Sequence, residues 1–230
     1  MAISLSNLRT VCRQRADQEN STFITDSELN DYINSSIAEL YDLLIQSYGS
    51  DYLVSSTTFT TVTGTDEYDL PTDFYKLRGV DAQLGSGNDF LTLRPFNFNE
   101  RNRFTDVAAW THLGAPAVRY HLIGSKIKFS PIPDRNATIK LWYIPTAPKL
   151  EFNSDELDQF NGYDEYVIVD VVIKMKLKEE SDTTVEERQK AALKQRIEEA
   201  SQNRDAAQPE SVSDIHAENF DFFYWGFRGN

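Results

Sequence analysis

The apolar period of this chain changes twice, and that switch constrains its fold more than any single motif. From Leu5 to Tyr48 apolar side chains recur every three or four residues. From Tyr52 to about Leu150 they alternate, and from Tyr163 the longer period returns. Helical periodicity at both ends with strand periodicity between them predicts an α+β chain. The expected architecture is a helical bundle formed by N- and C-terminal helices, with an inserted antiparallel β-rich domain and an extended C-terminal tail. The divisions fall at 1–51 (first bundle helices), 52–150 (β-rich insertion), 151–206 (last bundle helices) and 207–230 (extended aromatic docking tail).

The first segment reads as a helical hairpin. Leu5, Leu8, Val11 and Cys12 form one stripe, fading near Asp17. Thr25-Asp26-Ser27-Glu28 is a capping box, with Ile24 and Leu29 placed as its hydrophobic staple. Leu29, Ile33, Ile37, Leu40, Leu44 and Tyr48 then mark one buried face, and Gly49 is the stop. In the middle segment, strands are expected over 53–62, up to Leu70, and over 74–83, with 90–93 folding back as a hairpin. A short helix is expected within 96–104, and strands over 118–122, 126–129 and 138–143. The sum is an antiparallel sheet or small sandwich of six or seven strands. After Pro148, Tyr166, Val169, Ile173 and Leu177 give a helix over 163–180. Its β-branched run would suit a strand, but the pattern persists too long for one. Thr183-Thr184-Val185-Glu186 is read as a second capping box, opening a helix with Glu186–Lys190 as an i,i+4 pair.

Charge narrows the function. Lys and Arg number 23 against 36 Asp and Glu, a net of −13. A chain so acidic does not grip nucleic-acid phosphates through clustered cations. No apolar run approaches the ~20 residues that span a bilayer, so no membrane partner is expected, and the first residues lack the pattern of a signal peptide. One cysteine, Cys12, excludes an internal disulfide and suits a reducing compartment. It lies on an apolar stripe, which favours a small buried hydrophobe over a nucleophile. His112, His121 and His216 lack metal-ligand spacing and read as satisfied or surface side chains. Gly85-x-Gly87 leads into a strand, so it is a hairpin turn and not a phosphate loop. The twelve residues from Asp17 to Glu28 outline a calcium loop, but Thr22 stands where a glycine is wanted and Glu28 is already used by the cap. No catalytic residue, metal site or cofactor is expected.

The aromatics concentrate at the end of the chain. Phe220, Phe222, Phe223, Tyr224, Trp225 and Phe227 place six rings in eight positions. Fully buried, they would remove on the order of 900–1,500 Å² from water. At about 25 cal/mol per Å² the gross gain is about 20–35 kcal/mol, before ordering and association costs. Two outcomes satisfy them: folding back on the chain's own core, or docking into another chain. The polar linker around Pro209 favours docking, since twenty-four extended residues reach up to about 80 Å.

Several stretches resemble bacteriophage head-to-tail adaptor (connector, or neck) proteins of short-tailed phages. Tyr68-Asp69-Leu70-Pro71-Thr72-Asp73-Phe74, running on to Val80, is similar to their central strand motif. Ile127-Lys128-Phe129-Ser130-Pro131-Ile132-Pro133, followed by Ile139-Lys140-Leu141-Trp142-Tyr143-Ile144-Pro145, resembles their later hairpin. The Leu8-Arg9 helix leading to Phe23–Leu29 is similar too, as is the closing helix pair around Glu179-Glu180. The resemblance covers residues 4–205 in order. It implies a structural protein of the virion neck, made in the host cytoplasm during assembly, and no enzyme. It implies a homo-oligomeric ring, usually of twelve copies, beneath the portal protein, joined below to a tail nozzle or other tail proteins. It also implies that the six C-terminal aromatics are portal anchors. Acidic subunits would then line a path along which passing duplex DNA slides without specific binding. Acidity alone is equally explained by solubility. The competing readings are a host or phage α+β interaction module with an aromatic docking peptide, and a tail-associated hydrolase.

Overall fold

A helix of 23 residues, Asp26–Tyr48, is the spine of the molecule. Thr25 caps it, its Oγ1 accepting from the Glu28 backbone N–H, and Gly49 ends it at φ 82°. Ile24 and Leu29 are both fully buried, as a hydrophobic staple requires. The expected stripe holds: Leu29, Ile33, Ile37, Leu40 and Leu44 are completely buried. The reciprocal half of the capping box is absent. The Glu28 carboxylate instead accepts from the Tyr32 hydroxyl (2.7 Å) and from Lys178 Nζ (2.5 Å).

The structure, a computed structural model, describes residues 3–20, 22–83, 89–104, 110, 118–157 and 162–202. In chain order its elements are β1 (Ile3–Ser4), α1 (Leu5–Arg15), α2 (Asp26–Tyr48), β2 (Ser55–Thr60), β3 (Glu67–Asp69), β4 (Phe74–Gln83), β5 (Phe90–Thr92), β6 (Arg94–Pro95), β7 (Arg119–Ile123), β8 (Lys126–Ser130), β9 (Thr138–Pro145), β10 (Glu156–Leu157), α3 (Asp164–Lys178) and α4 (Thr184–Gln202). A single 3-10 turn, Phe98–Glu100, stands where a short helix was expected. The class is α+β, as the switch of period predicts.

Helices α2 and α3 run antiparallel, with Glu28 beside Lys178 at one end and the Tyr48 and Tyr163 hydroxyls 2.7 Å apart at the other. Every residue from Tyr166 to Ile173 is buried. A helix enclosed on all sides needs apolar residues all round, so its sequence looks like a buried strand. Past Met175 the cover ends, and Leu177, expected in the stripe, is 59% exposed.

Helices α1 and α3 end in the same device. In α3, Ser181 N–H donates to the Lys176 carbonyl and Glu180 N–H to that of Leu177, with Glu180 at φ 58°. In α1, Gln18 N–H donates to Arg13 and Asp17 N–H to Gln14, with Asp17 at φ 56°. Both are Schellman stops, built with an acidic residue where glycine is the usual choice. Helix α4 begins at Thr184, whose N–H donates to the Asp182 Oδ1 at 3.1 Å. The expected i,i+4 pair does not form. Glu186 is taken by Lys176 of α3 (2.6 Å), and Lys190 turns inward. Val185, on the opposite face, is 67% exposed.

The β-rich stretch forms two four-stranded sheets, β2-β9-β4-β5 and β3-β8-β7-β6. All pairs are antiparallel except β6 with β7, which departs from the purely antiparallel expectation. Val80, Ala82, Ile139 and Leu141 of the first sheet and Tyr120, Ile127 and Phe129 of the second share one apolar core, with Trp110. Phe129 meets Phe59, Tyr68 and Trp110 with ring centroids 5.7–6.3 Å apart. A separate core joins the helices with Leu150 and Leu157, and β1 pairs with β10 at its margin.

Replacing Glu180 by Gly removes a left-handed penalty and a carboxylate at a helix C-terminus. The variant should gain about 0.5–1 kcal/mol of unfolding free energy. Urea denaturation checks this, and a loss of stability would contradict the capping geometry.

Candidate functional site

All six expected anchors, Phe220, Phe222, Phe223, Tyr224, Trp225 and Phe227, lie outside the described residues, as do His112, His216, Gly85 and Gly87. His121 is held by structure: its Nδ1 lies 3.0 Å from the Phe96 carbonyl, and its ring packs on Phe96 and Phe98. Cys12 is fully buried in the helical core, and burial pushes its thiol up to about 12, the opposite of an activated nucleophile. The calcium-loop outline is spent on structure. Asp17 is a helix stop, Asp26 pairs with Arg9 (3.3 Å) and Arg13 (2.8 Å), and Glu28 faces Lys178. Among the described residues no three His, Cys, Asp or Glu side chains gather as a metal site would need.

Among the described residues, the buried charge is that of Asp170, and it lies between α2, α3 and α4. Asp170 is 3% exposed. Its Oδ1 accepts from Lys190 Nζ at 2.6 Å, and its Oδ2 from Lys174 Nζ at 2.7 Å and the Ser36 hydroxyl at 2.5 Å. Glu39 closes the square, accepting from Lys174 (3.1 Å) and Lys190 (3.0 Å). Two cations and two carboxylates balance. Burial raises the Asp170 carboxyl, but hydrogen bonds from Lys174, Lys190 and Ser36 outweigh it and hold the group below its ordinary range. Burial lowers Lys190, but Asp170 and Glu39 overcome it and raise the ammonium well above its ordinary value. A general acid or base needs a value near neutrality. Asp170 and Lys190 are driven away from it in opposite directions, and the ion pairs of the cluster fasten α2, α3 and α4 to one another.

Surface features suited to partners are spread over the molecule. Phe23 is 55% exposed, with Lys178 Nζ 4.7 Å above its ring, and borders an open cleft of about 590 Å³ beside Glu179 and Glu180. A cavity of about 270 Å³ opens between Asp66, Arg101, Phe104 and Lys128. A smaller groove, about 180 Å³, lies between Ile45 of α2 and Tyr75, where the Tyr75 hydroxyl donates to Asp42 at 3.0 Å. Sequence reading singled out none of these exposed rings, because each is one aromatic in an ordinary context.

The family model of the SU10 adaptor protein matches residues 3–213. The chain belongs to the SU10 adaptor protein family. The match takes in every described element, from β1 to α4, and stops short of Phe220. It agrees with the resemblance carried by the Tyr68–Val80 and Ile127–Pro145 motifs, that of a phage head-to-tail adaptor. Family membership points to a structural part of the virion. No curated protein matches the chain. Among the described residues, no helix is long and apolar enough to cross a membrane.

Asp170→Ala leaves Lys174 and Lys190 to share Glu39 alone and should lower stability by about 3 kcal/mol. Leu177→Ala, at an exposed site, should change it by less than about 0.5 kcal/mol. Chemical denaturation of both variants checks the contrast. The pH dependence follows from the same cluster. A carboxyl held low contributes stability above its unfolded value and loses it as pH falls, below about pH 4. An ammonium held high contributes below its unfolded value and loses it as pH rises, above about pH 10. Thermal melts should therefore show a plateau between these limits, with a weaker acid fall in Asp170→Ala.

Proposed function

We propose that this chain is the head-to-tail adaptor of a short-tailed phage, forming a homo-oligomeric ring, of twelve copies, beneath the portal protein. The ring joins the portal to a tail nozzle or other tail proteins and encloses the path of the duplex DNA. The observation that carries the reading is the family match across residues 3–213. The net charge of −13 supports it, because an acidic collar gives the DNA phosphates nothing to hold. In this reading the helices of 1–51 and 151–206 pack side by side around the channel, and 52–150 faces outward or toward the next tail component. Phe220, Phe222, Phe223, Tyr224, Trp225 and Phe227 dock on the portal, and the 207–230 tail gains its order there. Coupling that ordering to docking keeps free subunits from polymerising early.

The full chain should be a monomer by light scattering and should form rings when mixed with its portal, seen by electron microscopy. Deleting 207–230 should leave the thermal transition unchanged and abolish portal binding. Stable rings without the portal, or undiminished binding by the truncated chain, would refute this assignment.

A further inference from the structure

The two sheets treat their edges differently. In β3-β8-β7-β6, the outer strand β3 carries Glu67 and Asp69, and the other edge, β6, contains Pro95. Charge, proline and short length are the usual protections of an edge. In β2-β9-β4-β5 the only such protection is the shortness of β5, which has three residues. The sequence of β2 is Ser-Ser-Thr-Thr-Phe-Thr and that of β5 is Phe-Leu-Thr, with no charge and no proline in either. Among the described residues no strand lies beyond them.

The hydrogen-bond parity can be read for both. Thr61 N–H donates to the Ala137 carbonyl (2.9 Å), continuing the register in which Phe59 faces Ile139. Odd positions of β2 therefore point their backbone groups at β9, and Ser56, Thr58 and Thr60 point theirs outward. Val62, next in that series, is already satisfied, its N–H donating to the Tyr68 hydroxyl at 2.8 Å. On the far side, Leu93 N–H donates to Val80 (2.8 Å), so Phe90 and Thr92 point outward from β5. All five residues are exposed.

We propose that in the assembled ring the outer edge of β2 in one copy pairs with the outer edge of β5 in the next, so that this sheet runs on from subunit to subunit. The inference rests on the ring reading above and names its joint. Directions agree: every neighbour in the sheet is antiparallel, so the fourth strand of one copy and the first of the next alternate as well. The two edges differ, which makes the contact heterologous, the kind that closes into a ring. Charge agrees too. Two copies of a chain with net charge −13 meet here through strands bearing no charge. A ladder this short buries far less than the ~1,600 Å² of a free-standing interface. It holds when each copy is engaged on both sides, which fits a subunit that is single until it assembles.

Outward residues on facing strands form hydrogen-bonded pairs with Cα atoms about 5.5 Å apart, within the range of about 4.4–6.8 Å that a disulfide spans. The sole native cysteine, Cys12, is buried, so introduced pairs report cleanly. Six double variants join Ser56→Cys, Thr58→Cys or Thr60→Cys with Phe90→Cys or Thr92→Cys, each assembled on portal and oxidised. Variants of a single register, such as Ser56/Thr92 with Thr58/Phe90, should give a ladder of multimers on non-reducing gels. Thr58→Pro, which removes an outward N–H and spares the β9 ladder, should keep the monomer's melting profile. It should lower the yield of complete rings at least about fivefold, the effect of one ordinary hydrogen bond per joint. Complete rings by microscopy with no ladder from any pair would overturn the joint and leave the adaptor reading standing. Equal cross-linking by single-cysteine variants, which signals a β2-to-β2 contact, would overturn it as well. Failure of the unmodified chain to form rings on portal would remove both.

Discussion

A carboxylate without access to water, gripped by two ammonium groups from different directions, sets the arrangement of the helices. Asp170 sits on α3, Ser36 and Glu39 on α2, and Lys190 on α4, so a single small cluster fixes the rotation of three helices about their own axes. Helix α4 depends on it most. Ile197 is the one α4 residue among those described that is fully buried, so apolar burial alone gives that helix little hold. Directional bonds in a low-dielectric setting supply the specificity that a thin apolar contact lacks.

The β-rich part is tied to this frame by polar contacts of a different kind. The Asn34 side chain accepts from the Leu150 N–H (2.8 Å) and donates to its carbonyl (3.0 Å), standing in for a neighbouring strand where the chain returns from β9. Tyr75 reaches Asp42 and Arg78 reaches Asp51 (2.5 Å) across exposed surface, where such pairs contribute little stability. Each apolar core is therefore closed on itself, and the passage between them is defined by hydrogen-bond geometry. That separation suits a part whose two ends meet different neighbours.

Local chemistry made much of the fold legible. The regular stripe of α2, its Thr25 cap and its Gly49 stop are all short-range signals, and the structure follows them. Strand β4 begins and ends where its alternation does. Signals failed where a distant partner won. Glu186 and Lys190 satisfy the i,i+4 rule, yet each finds a better partner on α3, because Asp170, twenty positions away from Lys190, needs a cation more than Glu186 does. Leu177 fits the apolar spacing, but it lies on a side of α3 that the described residues leave largely open. The parallel pairing of β6 with β7 and the status of β2 as an edge are relations between segments far apart in sequence, which no window of residues encodes. The family motifs were readable because they are contiguous. The aromatic cluster from Phe220 to Phe227 lies beyond both the described residues and the matched region, and its proposed role as anchor rests on composition and resemblance.

The sealing of Cys12 among Leu5, Leu8 and their neighbours has a consequence for the redox chemistry of the chain. A thiol shut inside the helices offers dissolved oxygen no foothold, so exchanging a reducing medium for an aerated one leaves that cysteine as it is.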